Sequence, residues 1–288
     1  LVGAFRVILD SHCHAWSYWP YQPPVPDPKG RGRVEQLLHE MDLNGVDQAL
    51  LVCAQIDHNP ENNAYVAEQV QRFPGRLHQL VDLDSQWSAA YHTPGAAVRL
   101  QQMVERWSIK GFTHYLAPDD DDIWLLSPEG QALFKAAADL KLIASLSCAP
   151  HQQPVIRKLA ERFPTVPILC HHMGLPMLGK GLLKENLEQV LASARMPNIY
   201  IKVSGFAYAA QVKWEYPYAD VQPIVRALYE AFGARRLCWG SDYPVVRFFM
   251  TYRQALEAFR THCTFVSEED QGWILGKTLN ALLEARGL

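Results

Sequence analysis

Two histidines separated by one residue, His12 and His14, close the apolar run of the segment RVILDSHCHAW. A β-strand sends alternate side chains to one face, so imidazoles in this pattern point the same way. Farther along, PILCHHMG ends in His171 and His172, IYIKVSG carries Lys202 and Ser204 on one face, and RLCWGSDYP ends in Asp242. His12, His14, His172 and Asp242 make up the donor set of a single divalent ion, Zn²⁺ or Mn²⁺, that keeps a position open for water and acts as a Lewis acid. The histidines and Lys202 also serve without a metal, as hydrogen-bond donors to a developing oxyanion. In either arrangement Asp242 is the general base. Each residue has an ordinary reading too. A strand-end histidine is commonly just hydrogen-bonded, Asp242 caps the next helix, and Lys202 is a buried lysine paired with a carboxylate such as Asp10.

These residues need a frame that brings strand ends together. Short, nearly continuous apolar runs recur: RVILDSH, QALLVCA, LHQLVDLD, IKGFTHYL, LIASLSC, PILCHH, IYIKVSG and RLCWGSD. Strands buried on both faces of a parallel sheet read this way. Helical segments lie between most of them. RVEQLLHEM places Val34, Leu37, Leu38 and Met41 on one face, with Gly45 as terminator. NPENNAYVAEQVQRF is expected to start at an Asn59 cap with Pro60 in the first turn, and SPEGQALFKAAADLK repeats the device with Ser127 and Pro128. PVIRKLAERF, GLLKENLEQVLASA and VQPIVRALYEAFG continue the alternation, and SEEDQGWILGKTLNALLEARG opens on a Ser267/Asp270 approximation to a capping box. About eight strand–helix alternations predict an α/β chain forming one (β/α)₈ TIM-type barrel over residues 1–288, with the site at the C-terminal ends of the strands. No glycine-rich nucleotide loop is present.

Composition sets outer bounds. The 288 residues are 49% hydrophobic and 20% charged, as in a globular protein, and the net charge of -3 argues against a nucleic-acid or anionic-membrane partner. No apolar stretch reaches the ~18 residues of a membrane span, and LVGAFRVILD does not read as a secretory leader. Six scattered cysteines without a Cys-x-x-Cys pair read as reduced core thiols of a cytoplasmic enzyme.

With DSHCHAW, CHHMG, IKVSG and WGSDYPV in this order, the chain resembles the amidohydrolase superfamily, and within it the amidohydrolase-2 branch of lactonases similar to fuconolactonase and 2-pyrone-4,6-dicarboxylate lactonase. The resemblance implies that His12 and His14 are the first-strand histidines, His172 the later strand-end histidine and Asp242 the last-strand aspartate. It implies a hydrolase that opens the cyclic ester of a sugar acid or an aromatic-catabolism intermediate by attack of an activated water. Asp242, His172 and Lys202 are then catalytic. A metal-dependent decarboxylase of an aromatic or muconate-type acid is the alternative from the same branch, with Arg247 as its carboxylate clamp. Two departures stand out: His171 where the branch often has Asp, and Thr113 and His114 where many relatives have Arg. A dinuclear site is not expected, because LIASLSC ends in Ser147 and Cys148 rather than in a lysine or glutamate.

The expected substrate wall consists of His114, His171, Tyr208 and Trp16. Trp16 begins an aromatic, proline-rich loop, and GFAYAAQVKWEYPYAD offers Tyr208, Trp214, Tyr216 and Tyr218 near the same rim for a cyclic substrate. The acidic run PDDDD is read as a solvated loop or helix start, and a homo-oligomer is compatible with the sequence, which does not fix the number of subunits.

Overall fold

A computed structural model of the chain describes residues 7–18, 30–121, 123–175 and 183–285. Eight strands follow one another in sequence and in space: β1 Leu9–Cys13, β2 Gln48–Val52, β3 Leu77–Asp82, β4 Gly111–Tyr115, β5 Ile143–Ser147, β6 Ile168–Cys170, β7 Ile199–Val203 and β8 Leu237–Trp239. Each pairs in parallel with the next. A sheet of this order with helices outside is the expected (β/α)₈ barrel.

Residues just beyond β8 complete the ring. The Asp242 amide donates to the His12 carbonyl at 2.9 Å, and the His14 amide donates to the Tyr243 carbonyl at 2.7 Å. Ser11 Oγ donates to the Trp239 carbonyl at 2.5 Å. Closure of the barrel is thus the same event that brings the first-strand histidines beside Asp242.

Helices α1 Val34–Asn44, α2 Asn62–Arg72, α3 Ala96–Arg106, α4 Pro128–Asp139, α5 Gln153–Arg162 and α6 Leu183–Leu191 alternate with the strands. After β7 come a short turn of helix, α7 Phe206–Ala209, and then α8 Gln222–Phe232. The chain ends in α9 Tyr252–Arg260, α10 Glu268–Gly272 and α11 Thr278–Glu284. Gly45 ends α1 in the left-handed conformation and Ser127 caps α4 through the Gly130 amide, both as expected. Asn59 is not the α2 cap. Its side chain donates to the Tyr18 carbonyl at 2.9 Å, and the helix begins at Asn62 after Glu61. The C-terminal segment is two helices joined by a π-helical turn, Trp273–Lys277, rather than one. Gly276 lies so close to β1 that a Cβ would stand 2.0 Å from the Val7 carbonyl oxygen, and the widened turn permits that approach.

The interior holds a small apolar cluster of Leu9, Leu50, Val52, Leu80, Ile143, Leu169 and Cys238, joined by Leu279, Leu282 and Leu283 of α11. A larger core fills the space between strands and helices. Among the described residues no helix is long and apolar enough to cross a membrane.

Candidate active site

The mouth of the barrel holds a buried cluster of imidazoles around one carboxylate. Oδ1 of Asp242 lies 3.6 Å from Nε2 of His12, 3.9 Å from Nε2 of His14 and 3.9 Å from Nε2 of His172. The two first-strand Nε2 atoms are 3.2 Å apart. Ligands about 2.0–2.1 Å from a tetrahedral ion sit roughly 3.3–3.4 Å from one another, so these spacings bracket those of a single-ion site. His12, His14 and Asp242 form one set of converging donors, and His12, His171 and His172 form an overlapping one.

The backbone is bent to make this arrangement. Asp242 and His172 sit in the left-handed region at φ of 59° and 43°. Non-glycine residues adopt it at an energetic cost that surrounding structure must offset, a pattern concentrated at functional sites. At Gly240 an added Cβ would lie 2.8 Å from Cβ of His12, so only glycine lets β8 approach β1 this closely.

A second layer orients the rings. His14 donates from Nδ1 to the Val52 carbonyl, which leaves its Nε2 with a free lone pair. His172 Nδ1 pairs with Ser204 Oγ at 3.0 Å. Nζ of Lys202 lies 3.1 Å from His12 Nδ1 and donates to Ser145 Oγ at 2.7 Å, and Ser145 in turn meets His171 Nε2 at 2.7 Å. An ammonium only donates, so charged Lys202 leaves the His12 proton on Nε2. A neutral amine accepts from Nδ1 and frees Nε2 for a metal.

Electrostatics favour neutral rings. Burial, reinforced by the Lys202 charge, pushes the His12 and His171 pKa values far down and holds His172 near about 3. Burial also holds His14 near about 3, against the bond to Val52. Neutral imidazoles are the metal-ligating form. Burial drives Lys202 down to about 7 and raises Asp242 to about 7, the latter opposed by the Tyr208 hydroxyl, which donates to Oδ2. The donor set therefore fits one divalent ion in spacing and charge, and in tautomer for His14 and, when Lys202 is neutral, for His12. His171 Nδ1 is buried without a hydrogen-bond partner, which leaves one polar atom of the cluster unsatisfied.

Asp10 has a structural job. It accepts from the His12 amide at 3.0 Å, the Ser241 amide at 3.1 Å, Ser241 Oγ at 2.6 Å and the Tyr252 hydroxyl at 3.3 Å. It thereby ties β1 to the segment after β8, and the hydrogen bonds of Lys202 go to His12 and Ser145 instead.

The remaining expected residues divide. Tyr208 reaches Asp242, and His171 joins the cluster. Trp16 is buried, stacks on His14 at 4.8 Å and donates to the Ala54 carbonyl at 3.1 Å, so it backs His14 within an apolar patch that includes Ile56, Trp87 and Val245. His114 is not brought to the cluster. Tyr115 packs on the interior cluster and meets His171 at 5.1 Å, and alternation along β4 turns its neighbour His114 outward, where Nδ1 donates to the Leu83 carbonyl at 2.8 Å. Among the other aromatics, Tyr218 is buried with its hydroxyl on the Lys213 carbonyl, Tyr216 meets His262, and Trp214 is 82% exposed. Arg247 is exposed and interacts with the Tyr243 hydroxyl. In the acidic run Asp120 is partly buried and pairs with His92, whereas Asp122 lies outside the described residues. Most of the aromatic, proline-rich loop, 19–29, also lies outside them.

Ser145 and Tyr115 also belong to the cluster without standing out by residue type, and only strand alternation marks them, since both stand at inward positions of their strands.

The amidohydrolase family model matches residues 9–283. An L-fucono-1,5-lactonase of Burkholderia ambifaria is 27% identical over 252 residues, covering 83% of this chain and 81% of that protein. A putative 2-pyrone-4,6-dicarboxylic acid hydrolase of Pseudomonas putida superposes with a TM-score of 0.76 at 22% identity, covering 99% and 100% of the two chains. A zinc-bound amidohydrolase of Burkholderia multivorans superposes with a TM-score of 0.75 at 19% identity, covering 96% and 99%. Matched by the family model along nearly its whole length, the chain belongs to the amidohydrolase family.

Proposed function

We propose that this enzyme opens a lactone by hydrolysis, with a sugar-acid lactone as the preferred substrate class and a pyrone-type lactone as the next. The observation that carries this reading is the placement of Asp242. One oxygen faces three neutral imidazoles within 3.9 Å and the other is held by Tyr208, which is how a general base is aimed at a water above an electrophilic centre. His12, His14, His172 and Asp242 would hold a zinc or manganese ion, which would supply a Lewis acid for the ester carbonyl. A zinc-bound structural relative and a lactonase relative support both halves of the proposal.

Asp242 takes a proton from the attacking water and returns it to the ring oxygen as the ester C–O bond breaks. Tyr208 fixes the carboxylate during that exchange. Lys202 holds His12 through Nδ1 and, with Ser145, connects His12 to His171. Tyr115 and His171 wall the interior side, where an oxyanion forms as the carbonyl becomes tetrahedral.

Thr113 and His114 stand where many relatives of the branch have an arginine, and His114 points outward and is held neutral by burial. Arg247, the clamp of the decarboxylase alternative, is exposed. Both placements support a substrate without a second carboxylate. The six cysteines are free and buried, which supports a reducing, cytoplasmic setting, and the net charge of -3 supports a small-molecule rather than a nucleic-acid partner.

The test is proton release in weakly buffered indicator solution across sugar-acid and pyrone lactones, with wild type and Asp242→Asn. Acid release that falls at least about 100-fold in the variant supports the mechanism. Full activity of Asp242→Asn on an identified lactone would remove it, and silence of the wild type across the panel would reassign the site to decarboxylation.

A further inference from the structure

On the outer side of β4, outside the barrel-mouth cluster, two histidines meet nitrogen to nitrogen. Nε2 of His114 and Nε2 of His92 are 3.4 Å apart. Their ring centroids are 5.5 Å apart with an interplanar angle of 29°, so the nitrogens are the near atoms and the rings meet end to end rather than face to face.

The other nitrogen of each ring fixes where its proton lies. His114 Nδ1 is 2.8 Å from the Leu83 carbonyl, which only accepts, so this nitrogen carries hydrogen. His92 Nδ1 is 3.1 Å from Oδ2 of Asp120, an oxygen that also accepts from the Tyr91 hydroxyl at 2.9 Å. That nitrogen carries hydrogen as well. Two neutral rings in these tautomers present bare lone pairs to each other, which repel unless something positive lies between them.

We propose that His92 and His114 form a second metal site, distinct from the barrel-mouth cluster, which takes a divalent transition-metal ion such as Zn²⁺ through the two Nε2 atoms. The separation matches the roughly 3.3–3.4 Å between neighbouring ligands of a tetrahedral ion with bonds of about 2.0–2.1 Å. Ligating histidines characteristically donate the remaining N–H to a carboxylate or a backbone carbonyl, and here one ring does each. His114 is 1% exposed, while the His92 side chain is 12% exposed, so solvent completes the coordination on the His92 side.

The site is also held rigidly. His92 is sandwiched between Tyr91 at 3.8 Å and Trp124 at 4.5 Å, and its φ of 52° places it in the left-handed region. The surroundings keep a strained residue with its Nε2 aimed at His114. An ion there would staple the loop carrying Tyr91 and His92, which follows β3, to the end of β4.

Equilibrium dialysis of the full chain against Zn²⁺ provides the test, comparing wild type with His92→Asn. Asparagine tolerates a positive φ, so the loop is expected to keep its shape. The wild type should bind one zinc per chain more than the variant. That difference does not depend on whether the barrel mouth also holds an ion, nor on which substrate is hydrolysed. Equal stoichiometry in the two folded proteins would overturn the site and leave a proton shared between the rings. Wild-type crystals grown with Zn²⁺ give a reading that survives a variant that fails to fold. An anomalous peak about 2.1 Å from both Nε2 atoms supports the proposal, and its absence at saturating Zn²⁺ refutes it.

Discussion

The Tyr208 hydroxyl donates to Oδ2 of Asp242, while Oδ1 of the same carboxylate faces Nε2 of His12, His14 and His172. A hydrogen bond to the ionised form lowers a carboxyl pKa, whereas burial raises it, and here burial is the larger effect, holding Asp242 up at about 7. The pair thus sets the direction in which the base points and, in the metal-free protein, the pH at which it is charged.

Replacing Tyr208 by Phe removes only the opposing influence, so the Asp242 pKa rises further. In the metal-free protein the titration of the Asp242 carboxyl should move to higher pH by about one unit, given ~1.5 kcal/mol for a charged hydrogen bond and about 1.36 kcal/mol per unit. Infrared difference spectra of the carboxyl band across pH, wild type against Tyr208→Phe, read that shift directly. An unchanged titration would show that Tyr208 acts on substrate rather than on the base.

Lys202 is a fully buried amine held between His12 and Ser145, its pKa lowered to about 7 by burial. Lys202→Met removes the partner that orients His12, and kcat should fall about 10–100-fold, the usual effect of losing a group behind a ligand. The fold should survive with an unchanged or higher Tm, because the variant no longer buries an ionisable amine. Steady-state kinetics with a thermal melt reads both, and a large drop in Tm would assign Lys202 to structure.

Metal removal should couple activity to stability. Prolonged dialysis against chelator is expected to abolish lactone hydrolysis, with Zn²⁺ or Mn²⁺ restoring it. An ion present at 100 times its Kd stabilises the native state by about 2.7 kcal/mol, which should raise the melting temperature by several degrees. Activity that persists after verified metal loss would favour the arrangement in which histidines and Lys202 act as donors alone.

Acid should destabilise the metal-free protein. His12, His14, His78, His114, His171 and His172 are all held below the usual imidazole pKa, chiefly by burial. As pH falls through about 6.5 the unfolded chain takes up protons that the native chain refuses, so stability declines from there towards about pH 4. Asp10 and Asp82, raised by burial to about 6, and Asp242, raised to about 7, work in the opposite direction because their native forms bind protons first. More imidazoles than carboxylates are involved, and the net slope should be positive. Urea midpoints at pH 5 and pH 7.5 test the sign, and a higher midpoint at pH 5 would contradict it.

Much of this protein is legible in its residues. The apolar runs and capped helical segments announce a barrel, because a strand buried on both faces and a helix buried on one each leave a local pattern. Gly45 and Ser127 mark helix ends through purely local geometry. The four polar strand ends are visible for the same reason, as charged or imidazole groups placed where an apolar run stops. Asn59 shows the limit of local reading. Asparagine followed by proline resembles a cap, but its side chain has a partner in Tyr18, far away in sequence, and the helix starts later.

The tertiary structure alone decides which way each group faces and whom it meets. His114 and Tyr115 are neighbours in sequence, yet the alternation of β4 within a closed ring sends Tyr115 to His171 and His114 to His92. Lys202 bonds to His12 and Ser145 rather than to Asp10, because Asp10 is already saturated by donors from both ends of the barrel seam. The meeting of His12 with Asp242 spans most of the chain and exists only because the segment after β8 hydrogen-bonds back to β1. Local pattern carries residue type and strand position. Ring closure, which acts between residues far apart in sequence, supplies the geometry that turns those residues into a site.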